Sequence, residues 1–306
     1  MKRLFIILLV PALLAVSCAR TDRGLHTKTV GVALLTRSHI FYKDLEEGLR
    51  EEAARQKFEL IITSAELDLG KQIGQIEDFV ARNVDAIIVC PVDSKGVGPG
   101  IRKANEANIP VFTADIAAQE GKVVSHIASD NVAGGRLAGE FLAKALGGRG
   151  KVAIINHPVV TSVLDRVQGF HDALAAYPDI TIVADVEGQG VRDKSLEVTA
   201  DVLQANPALD GIFGINDASA LGALDAVQQF KRDRIIIVGY DATPPAADAI
   251  MKGTPLKADV IQYPRKIGTI TIEKIRDHFA GVSVPPVVPV DVGIADAAYL
   301  AKNGVR

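Results

Sequence analysis

From Thr29 onward the chain repeats one alternation: a short run rich in Val, Ile and Ala, then a longer stretch with apolar residues at helical spacing. The short runs are apolar on both faces, so each needs cover from above and below, which helices flanking a parallel sheet provide. Strands are expected at Val30–Leu35, Phe58–Thr63, Ala86–Cys90, Ile109–Thr113 and Val123–Ala128. A second set follows at Val152–Asn156, Ile180–Ala184, Gly211–Ile215, Ile235–Tyr240 and Ala258–Gln262. Between them the 3.6-residue period predicts helices, among them Phe41–Gln56, Lys71–Arg82, Asn131–Ala145, Arg166–Ala176, Lys194–Gln204 and Ala218–Phe230. Ten such strands exceed one five- or six-stranded sheet. The expected fold class is therefore α/β with two doubly wound parallel-sheet lobes, the first break falling near Ser129-Asp130. Pro285, Pro286 and Pro289 mark a late crossing or an edge segment.

The first 18 residues have a different character. Lys2 and Arg3 precede a thirteen-residue apolar run, Leu4 to Val16, and small residues lead to Cys18. A membrane-spanning helix needs roughly 20 apolar residues, and Pro11 interrupts this run, so an export leader over 1–17 fits better than a membrane anchor. The Ala-Val-Ser-Cys ending resembles a bacterial lipobox, which implies that Cys18 is lipidated and becomes the new N-terminus. Ordinary secretion and a retained anchor are the alternatives. Residues 18–28 then form the lipidated N-terminus and a short polar tether, and the protein is held at the periplasmic or outer face of a membrane through lipid only.

Composition narrows the functions further. With 48% hydrophobic and 23% charged residues the chain has the makings of a sizeable core. Removing residues 1–17 takes the formal charge from −3 to −5, which leaves no electrostatic footprint for nucleic acid. Lipidation of Cys18 would leave Cys90 unpaired, and its place at the end of an Ile-Ile-Val run makes it a buried small hydrophobe. The six histidines are scattered singly without zinc spacing. Gly134, Gly135 and Gly139 lack the dinucleotide spacing, and GGRGK (147–151) lacks that of a phosphate loop. No nucleophile elbow occurs. Neither an enzyme, a metal nor a cofactor is expected.

Several expected strands end in a polar residue: Asp93, Asp115, Asn216-Asp217, Asp241 and Gln262. In open parallel sheets, ligands bind at the carboxyl ends of the strands. Asp or Asn there also caps the following helix, and Asp93 and Asp217 are read as caps.

The segments IPVFTADI (109–116), VVSHIASDNVAGG (123–135), FGINDASALGAL (213–224) and IVGYDATP (237–244) resemble the periplasmic ribose-binding proteins of bacterial sugar importers. The resemblance runs from about residue 29 to 291. It implies a type I periplasmic-binding fold, with 29–129 plus 263–291 as one lobe and 130–262 plus 292–306 as the other. A three-stranded hinge would cross near Ser129-Asp130, Ile261-Tyr263 and Pro289-Asp291. By the same resemblance Asp115, Arg166, Asn216, Asp241 and Gln262 hold sugar hydroxyls, and Phe41 and Tyr42 are an aromatic pair against the sugar's C–H faces. His39 stands where the family has an asparagine, Ile116 where it has an arginine, and an aromatic is replaced near Gly190. The implied partners are a monosaccharide or polyol and an ABC importer permease, and the protein is expected to be a monomer. A sugar sensor docking on a chemoreceptor or membrane kinase would use the same pocket. A gene regulator would need a DNA-binding module where the leader stands.

The chemistry of these side chains suits the task on its own terms. A carboxylate accepts from two adjacent hydroxyls, a guanidinium donates to two, and an amide does one of each. Each buried hydroxyl left unpaired costs about 1–3 kcal/mol, so such a set distinguishes stereoisomers. Replacing an arginine by Ile116 favours a ligand with no acceptor there, such as a deoxy sugar, another pentose or a polyol. His39 could restore one donor, or be a loop histidine in solvent.

Overall fold

Twelve strands divide between two six-stranded sheets in the computed structural model, which describes residues 27–304. The expected leader, Cys18 and the tether up to residue 26 lie outside the described residues. Numbered along the chain, the first sheet holds β1 (Thr29–Leu34), β2 (Glu59–Ser64), β3 (Ala86–Val89), β4 (Val111–Ala114), β5 (Ser125–Ser129) and β11 (Val287–Val290). Their order is β2-β1-β3-β4-β5-β11, parallel throughout. The second sheet is β7-β6-β8-β9-β10-β12, from β6 (Arg149–Asn156), β7 (Asp179–Glu187), β8 (Gly211–Gly214), β9 (Ile236–Asp241), β10 (Leu256–Ile261) and β12 (Gly293–Asp296). Only its edge strand β12 runs antiparallel, against β10. Strands β3, β4 and β8 are buried along their whole length, as runs apolar on both faces require.

Helices α1 (Ile40–Gln56), α2 (Leu69–Ala81), α3 (Gly98–Glu106) and α9 (Pro264–Phe279) cover the first sheet. Helices α4 (Asn131–Ala145), α5 (Thr161–Leu174), α6 (Arg192–Ala205), α7 (Asp217–Gln229), α8 (Pro244–Met251) and α10 (Ala297–Lys302) accompany the second. Each lobe has helix pairs whose backbones touch. A methyl at Gly48 of α1 would run into the Arg265 carbonyl of α9, and one at Gly135 of α4 into the Arg166 carbonyl of α5. Small residues at these crossings allow the close approach, and the Gly135 crossing fixes the height of Arg166 in its lobe.

The chain passes between the sheets after β5, after β10 and between β11 and β12. These passages leave from neighbouring strands, since β5 pairs with β11 and β10 with β12. The proline-marked segment is indeed an edge strand, β11, in which Pro289 sits opposite Ala128. Cys90 is fully buried with a free thiol. Among the described residues no helix is long and apolar enough to cross a membrane.

Candidate functional site

Asp115 follows β4 and Asp241 ends β9, the fourth strands of their respective sheets, so the two carboxylates occupy equivalent places in the two lobes. Both have φ in the region L-residues avoid, 68° for Asp115 and 121° for Asp241. Such backbone costs on the order of 1–3 kcal/mol and concentrates at functional positions. The two side chains line one cavity between the lobes.

Arg166, on the second turn of α5, is the one buried Arg or Lys among the described residues. Its Nε donates to Asn131 Oδ1 at 2.9 Å and one Nη to the Ile215 carbonyl at 2.8 Å. The guanidinium carbon lies 3.9 Å from the centre of the Tyr240 ring, a stacking that holds the plane of the group. The remaining Nη donors are left for the cavity that Arg166 lines.

Gln262 joins the crossing region to the site. Its Nε2 donates to Asp241 Oδ1 at 2.6 Å and its Oε1 accepts from the Ser129 hydroxyl at 2.6 Å. Asn216 is the N-cap of α7, its Oδ1 accepting from Ser219 N at 2.8 Å and its Nδ2 donating to the Gly190 carbonyl at 3.0 Å. The cap expected at Asp217 therefore belongs to Asn216. Asp217 instead is buried and accepts from both the backbone N–H and the hydroxyl of Thr243. Asp93 accepts from the N–H groups of Lys95 and Gly96 in the loop before α3, a local turn rather than the cap itself, which is Val97.

Beneath Asp241 lies a feature not expected from the sequence. Asp259, in the middle of β10, is fully buried near Asp217, and neither of its carboxyl oxygens has a hydrogen-bond partner. Neighbouring carboxyls away from water oppose each other's ionisation. Burial, and the Asp217 charge, drive Asp259 well above the usual carboxylate range. Burial also lifts Asp217. Asp241 is pushed up to about 7 by burial and by Asp217, with Arg166 and Gln262 opposing. Burial raises Asp115 too, against the pull of Arg166 and a hydrogen bond from Tyr42.

The lobe-one wall comes from the start of α1. Phe41 and Tyr42 are buried with their rings edge to face at 5.2 Å, and the Tyr42 hydroxyl donates to Asp115 Oδ2 at 2.6 Å. Tyr42 thus orients a carboxylate in addition to presenting an aromatic surface. His39, at the N-cap position of α1 without a capping bond, lines the cavity rather than standing in solvent. Burial lowers its pKa, and nearby His157 lowers it further.

All eight residues singled out from the sequence line this one cavity: His39, Phe41, Tyr42 and Asp115 from the first lobe, Arg166, Asn216, Asp241 and Gln262 from the second lobe and its crossing. Sequence reasoning missed Leu35, His157, Val160 and Gln189, which also face it. Leu35 and Val160 read as ordinary core, and nothing in the pattern distinguishes His157 or Gln189 from other loop residues. Ile116 lines the wall where the resemblance places an arginine, and Gly190 adds no side chain. Among the described residues no group of three or more His, Cys, Asp or Glu could hold a metal ion.

Two α/β lobes that present equivalent carboxylates, a stacked guanidinium and amides to a shared gap define the class of solute-binding proteins for small polyhydroxyl molecules. The chain belongs to the periplasmic ribose-binding protein family: the profile described as "Periplasmic binding protein domain" matches residues 30–282, and curated relatives agree. It is 33% identical over 279 residues to the ribose import binding protein of Escherichia coli (strain K12), spanning 91% of this chain and 94% of that one. A solute-binding protein from Actinobacillus succinogenes 130z, solved with bound D-allose, superposes with a TM-score of 0.83 at 32% identity, covering 90% and 100% of the two chains. The Caulobacter myo-inositol binding protein, solved with myo-inositol, gives 0.84 at 28% identity, covering 92% and 96%. The chain is accordingly an exported, sugar-binding component of an ABC importer, not an enzyme.

Proposed function

We propose that this protein captures one monosaccharide or polyol in the cavity between the lobes and presents it, with the lobes closed, to its importer's permease. The observation that carries the reading is the pairing of Asp115 with Asp241 from opposite lobes, with Arg166 beside them and Gln262 tying Asp241 to the crossing. Carboxylates accept from ring hydroxyls, Arg166 donates to ring or hydroxyl oxygens, and Phe41 faces the C–H side. Each lobe alone supplies half of these contacts, so a bound ring favours the closed arrangement. Moving a population from 1:99 to 99:1 takes about 5.5 kcal/mol of differential binding, within reach of a few charge-assisted hydrogen bonds at about 1.5–3 kcal/mol each.

The wall at Ile116 favours a ligand that presents carbon rather than oxygen there: a deoxy sugar, a pentose of different configuration, or a polyol. Cys18 carries the lipid that holds the protein at the membrane, and the protein acts as a monomer. A thermal-shift panel of pentoses, hexoses, deoxy sugars and polyols tests the assignment. A ligand at 100 times its Kd adds about 2.7 kcal/mol, which raises the midpoint by about 2–4 °C per kcal/mol in lobes of this size. Stabilisation by a nucleotide or an amino acid with no response to any carbohydrate overturns it.

A further inference from the structure

The Arg166-bearing helix begins on a contact between the lobes that touches neither the carboxylates nor the cavity. The first residues of a helix leave N–H groups without intrahelical partners. The N-cap of α5 is Val160, whose side chain offers no cap. The Thr161 N–H is instead satisfied from the other lobe, donating to Ser94 Oγ at 3.0 Å. Ser94 lies in the loop after β3, and its hydroxyl donates to Thr161 Oγ1 at 3.3 Å.

The Thr161 hydroxyl completes the arrangement. It accepts from Ala117 N at 3.1 Å and donates to the Ala117 carbonyl at 3.2 Å, pairing with a backbone position in the loop after β4. Ser94 N also donates to the Val159 carbonyl at 3.2 Å. Within the first lobe, Gln119 N donates to the Ser94 carbonyl at 2.7 Å, so the two receiving loops move together. Five hydrogen bonds therefore join the lobes within a few residues, and Ser94 is buried beneath them.

Every one of these bonds links a group of the first sheet's loops to the start of α5, so separation of the lobes breaks all of them at once. Thr161 does not line the cavity, whereas its neighbours Val160, Ser162 and Val163 do, as does Ile116 beside Ala117. Thr161 also lies five residues before Arg166 on the same helix. The contact thus sets where the guanidinium stands relative to Asp115 without touching a ligand.

We infer that Thr161, with Ser94 and the Ala117 backbone, is a positioning latch that holds the lobes closed and lengthens the residence of the ligand. This inference rests on the reading that the cleft closes on a sugar or polyol. The affinity of the protein is then set by two separable parts, the ring contacts and the latch. Loss of the latch shortens residence equally for every ligand, because no ligand touches it.

Thr161→Val keeps the shape of the side chain and removes its hydroxyl, while Thr161→Ser keeps the hydroxyl. Stopped-flow kinetics with D-ribose, D-allose and myo-inositol, together with small-angle scattering of the ligand-free protein, read the effect. For each probe that binds, Thr161→Val should raise koff about tenfold, the worth of one or two net hydrogen bonds. It should leave kon and the ranking of the probes unchanged, and the ligand-free radius of gyration should increase. Ser94→Ala should act in the same direction, and Thr161→Ser should behave as wild type. An unchanged koff and radius in Thr161→Val overturns the latch, as does a Thr161→Ser variant as defective as Thr161→Val, which would mean methyl packing. If no carbohydrate binds the wild-type protein, the sugar reading fails, and the scattering comparison alone decides the latch.

Discussion

Gln262 Nε2 lies 2.6 Å from Asp241 Oδ1: Asp241 ends β9 opposite Ile261, the last residue of β10, and Gln262 follows directly. Because Gln262 Oε1 accepts from Ser129 at the end of β5, one amide links both sheets to the raised carboxyl of the second lobe. The amide's orientation follows from these two partners. Gln262→Glu keeps the size of the side chain but places a second carboxyl against Asp241. Two ionised carboxylates cannot share that distance, so the variant should bind its sugar at least tenfold more weakly at pH 8, with a smaller loss at pH 5. Calorimetric titration at the two pH values checks this, and equal losses at both would rule out the electrostatic account.

The buried acids make stability fall as pH rises. Asp217, Asp241 and Asp259 all have folded-state pKa values raised by burial, above the value of about 3.9 for an exposed aspartate. The folded form then binds protons more tightly than the unfolded chain. Their contribution is complete below about pH 3.9 and is lost as pH climbs, through about 7 for Asp241, with Asp217 and Asp259 acting in the same direction. Asp259→Asn supplies a neutral partner for Asp217 at every pH. Relative to wild type it should gain stability between pH 5 and pH 8, by about 1–3 kcal/mol at the upper end. Urea unfolding at both pH values decides it, a constant difference between the proteins being the adverse result.

Tyr42→Phe removes the hydroxyl that donates to Asp115. A hydrogen bond to a charged group contributes about 1.5–3 kcal/mol, and its loss lifts a carboxyl whose pKa burial has already raised. Affinity should drop about tenfold at pH 7, and the titration limb of the binding profile should move to higher pH. Wild-type affinity together with a wild-type pH profile would instead assign Tyr42 to stacking alone.

Two glycines separate close packing from chain freedom. Gly135→Ala collides with the Arg166 carbonyl, so it should lower stability by about 1–3 kcal/mol through overpacking and weaken binding by displacing the guanidinium. Gly74, inside α2, has nothing within 4 Å of the position a methyl would take. Gly74→Ala should therefore stabilise the protein by about 0.5–1 kcal/mol and leave affinity untouched. Melting curves with and without ligand test the pair.

The strands were legible because buried parallel strands are apolar on both faces: β3, β8 and β9 begin or end within a residue or two of the expected runs. Helix α5 starts at Thr161, five residues before the expected start at Arg166. Its start carries no local cap because the capping group, Ser94, sits in the other lobe. Strands β11 and β12 have no strong pattern of their own, and only the prolines hinted at an edge. The polar half of the site could be found because strand-end carboxylates and amides stand out in sequence. Leu35 and Val160 could not, since a wall residue and a core residue have the same chemistry. Asp259 stayed hidden for the opposite reason: an acid in mid-strand reads as a solvated face until the sheet that buries it is known.

Strands β11 and β12 are four residues each and separated by a two-residue step, yet each supplies the outermost strand of a different sheet. The carbonyls of Pro285 and Pro286 already anchor this segment to Ser125 and His126. During synthesis both lobes therefore wait for the same last stretch of polypeptide, and a chain broken off at 286 would expose two naked borders together. Naked borders recruit other chains. The two lobes, separate as binding surfaces, reach maturity in a single stroke.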